Sequence, residues 1–66
     1  MKIIVNGEES TVEQGTTIAA LLHRLDIPVA GTAVAIGDAI VSREVHDTRP
    51  LIDGDRVEIM RAIGGG

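Results

Sequence analysis

The sequence predicts an α+β domain: a mixed sheet of four or five strands with one helix packed across one face. Three observations lead there. Ile18, Leu21, Leu22 and Leu25 repeat at i, i+3, i+4 and i+7, the spacing of one apolar helical stripe. Short β-branched runs flank that stripe and are punctuated by the turn signals Asn6-Gly7 and Gly37-Asp38. A last run, 56–60, alternates, with Val57 and Ile59 on one side and Arg56, Glu58 and Met60 on the other. A single short amphipathic helix needs a sheet to cover its apolar face.

The elements follow in order. Lys2–Val5 is a strand leading into Asn6-Gly7, a pair that suits the positive φ values of a tight hairpin. The return strand covers 9–13 with Val12 facing inward, and Gln14-Gly15 breaks it. Thr16-Thr17 opens the helix, where a threonine hydroxyl can accept from an orphan amide of the first turn. Ile18, Leu21, Leu22 and Leu25 are expected in the core. His23 and Arg24 fall in the last turn, where positive charge suits the helix dipole. Pro28, which has no N–H and biases its predecessor to extended geometry, is expected to end the helix. Thr32–Ile36 and 39–43 form a second hairpin. Residues 45–49 read as polar and irregular, Leu51-Ile52 as a short extended piece, and Asp53-Gly54-Asp55 as a turn before the last strand. If that strand lies between the two hairpins, the sheet is mixed and the helical crossover can keep the right-handed rule. This is the arrangement of the ubiquitin-like β-grasp fold.

Composition narrows the function. With 66 residues the chain is one small domain, and with no cysteine or aromatic residue it must build its core from aliphatic side chains. The net charge is −4 and the pI about 4.9. Lys2, Arg24, Arg43, Arg49, Arg56 and Arg61 are scattered, so no positive stripe exists for phosphates, and there are no rings on which bases could stack. Nucleic-acid binding is not expected. No apolar run reaches membrane-spanning length. The start, Lys-Ile-Ile-Val, does not resemble a secretory leader, so the expected location is the cytoplasm.

The chain closes on Gly64-Gly65-Gly66. Residues 1–63 are read as the folded domain and 64–66 as a flexible tail, because glycines carry no side chains to pack. A bare tail is either a frayed end or a segment able to thread a narrow channel. In the second reading the Gly66 carboxylate is the reactive group, and Gly64 and Gly65 let another backbone come close. Such a carboxylate needs activation before a sulfur nucleophile can attack it. The chain has no GxxxxGK[ST] phosphate loop, so ATP must bind elsewhere. It has no thiol, so sulfur must come from outside and no internal thiol competes for the activated end. Lys2 is its sole lysine.

The opening Ile-Ile-Val-Asn-Gly-Glu, the helix start Gly-Thr-Thr-Ile-Ala-Ala-Leu-Leu, the Ala-Val-Ala-Ile hairpin with Val41-Ser42-Arg43, and the run from Leu51-Ile-Asp-Gly-Asp-Arg-Val-Glu to the glycines together resemble a known family. It is the family of small sulfur carriers of thiamine thiazole biosynthesis (ThiS-like carriers), and the resemblance covers nearly the whole chain. Gly37-Asp38 stands where the family often has Asn-Gly, Val45-His46 where it often has tryptophan, and three glycines where its signature has two. The resemblance implies a protein co-substrate rather than an enzyme. A partner adenylates Gly66 with ATP, and sulfur from a relay protein such as a cysteine desulfurase turns the carboxylate into a thiocarboxylate. Thiazole synthase then receives the sulfur. A carrier of the same fold serving molybdopterin synthesis, a ubiquitin-like modifier joined through Gly66 to a target lysine, and a plain interaction domain are the alternatives.

The remaining residues have plainer readings beside any sharper one. No catalytic residue is expected, and this chain is expected to bind no cofactor. Asp53-Gly54-Asp55 lacks the alternating ligands and distal glutamate of a calcium loop. His23 and His46 have no cysteine companions and are expected as solvated or helix-end residues, not metal ligands. Met60 and Ile4 on an exposed sheet face form either a partner-docking surface or ordinary scattered aliphatics. Arg61 either pairs with an acid on a partner or is a solvated charge beside Glu58.

Overall fold

The computed structural model describes residues 1–61. Five strands and one helix follow one another as β1 (Lys2–Val5), β2 (Glu8–Thr11), α1 (Ile18–Arg24), β3 (Thr32–Ile36), β4 (Ala39–Val41) and β5 (Arg56–Arg61), with a 3-10 turn at Arg43–Val45 before β5. The sheet order is β2-β1-β5-β3-β4. The last strand therefore lies in the middle, parallel to β1 and antiparallel to β3.

Asn6 and Gly7, at φ 49 and 86, make the left-handed turn that joins β1 to β2. β2 is shorter than expected, yet Val12 is buried beyond its end, and Val12 and Met1 exchange two hydrogen bonds through N–H and C=O groups. Asp53-Gly54-Asp55 does more than turn the chain. The Asp53 carboxylate accepts from the Lys2 amide at 2.7 Å, and the Asp55 carboxylate accepts from Ile52 N at 2.8 Å. Gly54 N donates to Lys2 O, and Ile4 N donates to Asp55 O. This turn sews the start of β1 to the entry of β5.

Thr17 caps the helix: its hydroxyl accepts from Ala20 N at 3.1 Å. The helix ends before Pro28, at a left-handed Asp26 with φ 62. Asp26 N donates to His23 O at 3.1 Å and Ile27 N to Leu22 O at 2.9 Å. These are the two bonds of a Schellman ending, with aspartate where glycine is usual. The expectation for Leu25 is corrected as well. Leu25, the C-cap, still donates to Leu21 O at 3.0 Å, but it sits on the last turn at the rim of the core and is 43% exposed. It borders a surface hollow of about 350 Å³ with Val5, Asn6 and Glu8. Ile27, returned toward the helix by the Schellman bond, packs against the core instead.

The core is aliphatic throughout. Ile3, Ile18, Leu21, Leu22, Val34 and Val57 are fully buried, joined by Val12, Val41 and Leu51. Strands β1, β3, β4 and β5 contribute Ile3, Val34, Val41 and Val57 to this layer, and Val12 enters it just beyond β2. His46 is a second correction, because it is buried to 3% exposure rather than solvated. β4 stops at Val41, and the Ser42 hydroxyl caps the 3-10 turn by accepting from Glu44 N. That turn folds the chain back onto the start of α1. There His46 O accepts from Ala19 N at 2.9 Å, one of the donors a helix start leaves unsatisfied. The ring follows the backbone inward. Its Nε2 lies 3.3 Å from Val41 O, and its Nδ1 has no hydrogen-bond partner among the described residues.

Candidate functional site

Strand β5 is the element that leads to the glycines. Its central place comes from bonds on both edges. β3 pairs with it over five positions, from Thr32 opposite Arg61 to Ile36 opposite Val57. β1 pairs with it only at Ile4–Arg56 and Val5–Val57. Beyond that point Asn6 takes over. Its amide donates to Val57 O at 2.8 Å, and its side-chain oxygen accepts from Ile59 N at 2.8 Å. The β1 side of β5 is therefore held as far as Ile59, although β1 has ended.

The sheet has one face against the helix and one open face. Register assigns Lys2, Ile4, Ala33, Ala35, Ile40, Arg56, Glu58 and Met60 to the open face. Ile4 and Met60 thus share it, as alternation implies, but they do not touch through the register. Met60 lies four residues beyond Arg56, the partner of Ile4, so about 13 Å of strand carrying Arg56 and Glu58 separates them. Met60 has other apolar company. It stands opposite Ala33, and Ala35, two residues on, stands opposite Ile40. Met60 is 43% and Ile40 67% exposed. Ile40 is thus level with Glu58, two strands away from Met60 and two residues back, with Ala33 and Ala35 between them. Sequence reasoning missed Ile40 because β4 has three residues, too few for alternation to show a face.

Arg61 is not part of that group. It follows the parity of Val57 and Ile59, stands opposite Thr32, and is exposed. Gly64, Gly65 and Gly66, with the expected domain boundary at residue 63, lie outside the described residues. Among the described residues no group of three His, Cys, Asp or Glu side chains could hold an ion. Asp53 and Asp55 are committed to backbone amides. No helix among the described residues is long and apolar enough to cross a membrane.

A family model described as ThiS family matches residues 2–66. The chain belongs to the ThiS family. The sulfur carrier protein ThiS of Escherichia coli is 36% identical over 66 residues, all of both chains. That of Thermus thermophilus is 38% identical over 63 residues, 94% of this chain and 95% of the relative. A thiazole synthase of Magnetococcus marinus is 39% identical over 66 residues, which are all of this chain but 20% of that protein. The chain thus spans about a fifth of the length of the thiazole synthases it matches. The crystal structure of the thiamine biosynthesis protein (ThiS) from Geobacter metallireducens superposes with a TM-score of 0.80 at 33% identity, covering all of both chains. The fold is accordingly the ubiquitin-like β-grasp of the ThiS family, with β5 as the central strand.

Proposed function

We propose that this ThiS family chain is a sulfur carrier for thiazole formation in thiamine biosynthesis, with the carboxyl group of Gly66 as the carrying atom set. The observation that carries the reading is the match along the full length of relatives named sulfur carrier proteins, in a chain that closes on Gly64-Gly65-Gly66. The chemistry then needs partners. An activating enzyme transfers AMP from ATP to the Gly66 carboxylate and makes one oxygen a good leaving group. The terminal sulfur of a persulfide on a relay protein, a cysteine desulfurase or similar, attacks the Gly66 carbonyl carbon and expels AMP, giving an acyl disulfide. A partner thiol then cleaves the S–S bond, forming a disulfide with the relay cysteine and leaving the thiocarboxylate on Gly66. Thiazole synthase takes that sulfur. Carrier-like segments within the thiazole synthases of Magnetococcus marinus and Paramagnetospirillum magneticum support this choice of acceptor. The reading assigns the protein to the cytoplasm, where ATP and the relay are found.

Gly64 and Gly65 serve by what they lack, since backbone without Cβ fits a narrow channel. So thin a tail makes few contacts, and docking falls to the folded domain. The open face beside the end of β5, with Met60 at its centre, is the surface we assign to that task. Ile4 borders it on the far side of Arg56 and Glu58. Arg61, next to the tail on the other face, is assigned to an acidic group on the partner.

The test is intact mass after incubation with the cognate activating enzyme, ATP and a sulfur donor. Replacement of one oxygen by sulfur at the C-terminus is expected, and deleting Gly65-Gly66 should abolish it. Conjugates on other proteins would identify a modifier instead. A gene deletion that is rescued by the thiazole moiety supports the thiamine acceptor, whereas a requirement for molybdenum cofactor would overturn it.

A further inference from the structure

An activated carboxyl on a tail faces a hazard inside its own chain. A primary amine that reaches it forms a stable amide and ends the carrier's use. This chain has few such nucleophiles: it has no cysteine, and five of its six basic residues are arginine. A guanidinium stays protonated and does not attack. The one lysine is Lys2. We propose that the fold guards the activated Gly66 against self-capture by holding this amine at the end of the sheet opposite the tail. The inference rests on the carrier reading above.

The register supplies the geometry. β1 and β5 are parallel, with Ile4 beside Arg56 and Val5 beside Val57. Lys2 lies two residues before Ile4, and Arg61 five beyond Arg56. Their Cα atoms are thus separated by about seven strand rises, roughly 23 Å along the sheet. Residues 62–66 span at most about 18 Å when fully extended. A lysine side chain adds about 6 Å, the length of its four-carbon stem and amine. The two ends would meet only with both at full stretch and with no length used in reversing direction after Arg61. A linker that cannot span its sites gives an effective concentration near zero. Sideways, the amine lies away from β5: Lys2 Nζ is 3.5 Å from Glu9 Oε1 on β2, the strand on the other side of β1, in an exposed pair level with Ile4. The Met1 amine is one residue farther and donates to Val12 O at 2.8 Å.

The guarded reaction is simple to balance. The amine nitrogen attacks the Gly66 carbonyl carbon, a C–N bond forms, the bond to the leaving group breaks, and the amine proton passes to solvent. Once the amine is deprotonated, as a fraction is at mildly alkaline pH, reach decides whether it occurs. β4 runs parallel to β5, with Val41 level with Val34 and Val34 level with Ile59. Arg43 opens the 3-10 turn two residues beyond Val41, so it lies near the end of the sheet from which the tail leaves. It is exposed. Arg43→Lys keeps the charge and puts an amine within easy reach of the tail.

The test uses the full chain released from an intein fusion as a Gly66 thioester, held dilute at mildly alkaline pH, with intact and tandem mass spectrometry. No activating enzyme is involved. The natural chain should only hydrolyse. Arg43→Lys should form an internal amide between the new amine and Gly66 at least about tenfold faster than any wild-type closure. An internal amide to Lys2 in the natural chain at the variant's rate, lost in Lys2→Arg, overturns the proposal. So does failure of Arg43→Lys to close. A separate arm measures ATP–pyrophosphate exchange with the activating enzyme. Absence of exchange there refutes the carrier reading while the thioester result stands as a statement of geometry.

Discussion

The side-chain oxygen of Asn6 accepts a 2.8 Å hydrogen bond from the amide of Ile59, 53 residues farther along the chain. Asn6 is a turn residue with a left-handed backbone, and it also donates its own amide to Val57 O. One residue thereby closes the first hairpin and extends the grip of β1 on the strand that leads to the glycines. Asn6→Ala should cost about 2 kcal/mol, combining the penalty for a left-handed residue with a Cβ and the loss of an acceptor. Asn6→Gly keeps the backbone freedom and loses only the acceptor, so its cost should be about half. Urea unfolding of the two variants separates the contributions, and equal losses would remove the role assigned to the side chain.

Asp26 holds the left-handed position of the Schellman ending that glycine usually occupies. Asp26→Gly should therefore stabilise the domain by about 0.5–1 kcal/mol. For a domain of this size that raises Tm by roughly 2–8 °C. A lower Tm would mean that the carboxylate contributes something the helix ending does not require.

Asp26 also illustrates what was legible in the sequence and what was not. The order of elements could be read because alternation, helical spacing and Asn6-Gly7 are local signals, whereas the central place of β5 entered only as the arrangement that lets the helical crossover keep the right-handed rule. The helix end could not, since the visible stop was Pro28 and an aspartate at positive φ carries no strong signature. Leu25 was assigned to the core because its spacing is right, but as the C-cap it lies at the open end of the helix, which spacing does not reveal. His46 needed a tertiary event, the fold-back of a polar segment onto the start of α1. At the candidate site, Met60 and Ile4 were placed on one face by parity alone. Their separation, and the presence of Ile40 on the same open face across β3, depend on inter-strand register, which no single strand encodes.

His46 is expected to matter for stability where His23 is not. The His46 ring fills a buried site and meets Val41 O, whereas His23 lies exposed on the last turn of α1. His46→Ala should cost about 2–3 kcal/mol through the space it leaves and the contact it loses. His23→Ala should stay within about 0.5 kcal/mol. Parallel denaturation curves decide this, and similar midpoints for the two variants would contradict the burial of the ring.

Met60 and Ile40 contribute exposed apolar surface beside the end of β5, not core, so a charge there should leave folding intact while disturbing a docked partner. Met60→Glu and Ile40→Glu should each shift the unfolding free energy by no more than about 0.5 kcal/mol. In the activation assay each should raise the KM for the carrier about tenfold with kcat little changed, the pattern of a lost binding contact remote from the chemistry. Ile52 supplies the control. It is 63% exposed but lies in the connection before β5, at the end of the sheet from which the tail does not leave. Ile52→Glu should leave KM unchanged. If all three substitutions raise KM alike, the effect is one of charge on an already acidic protein. If none does, docking belongs to another surface and the apolar group beside Met60 is ordinary surface.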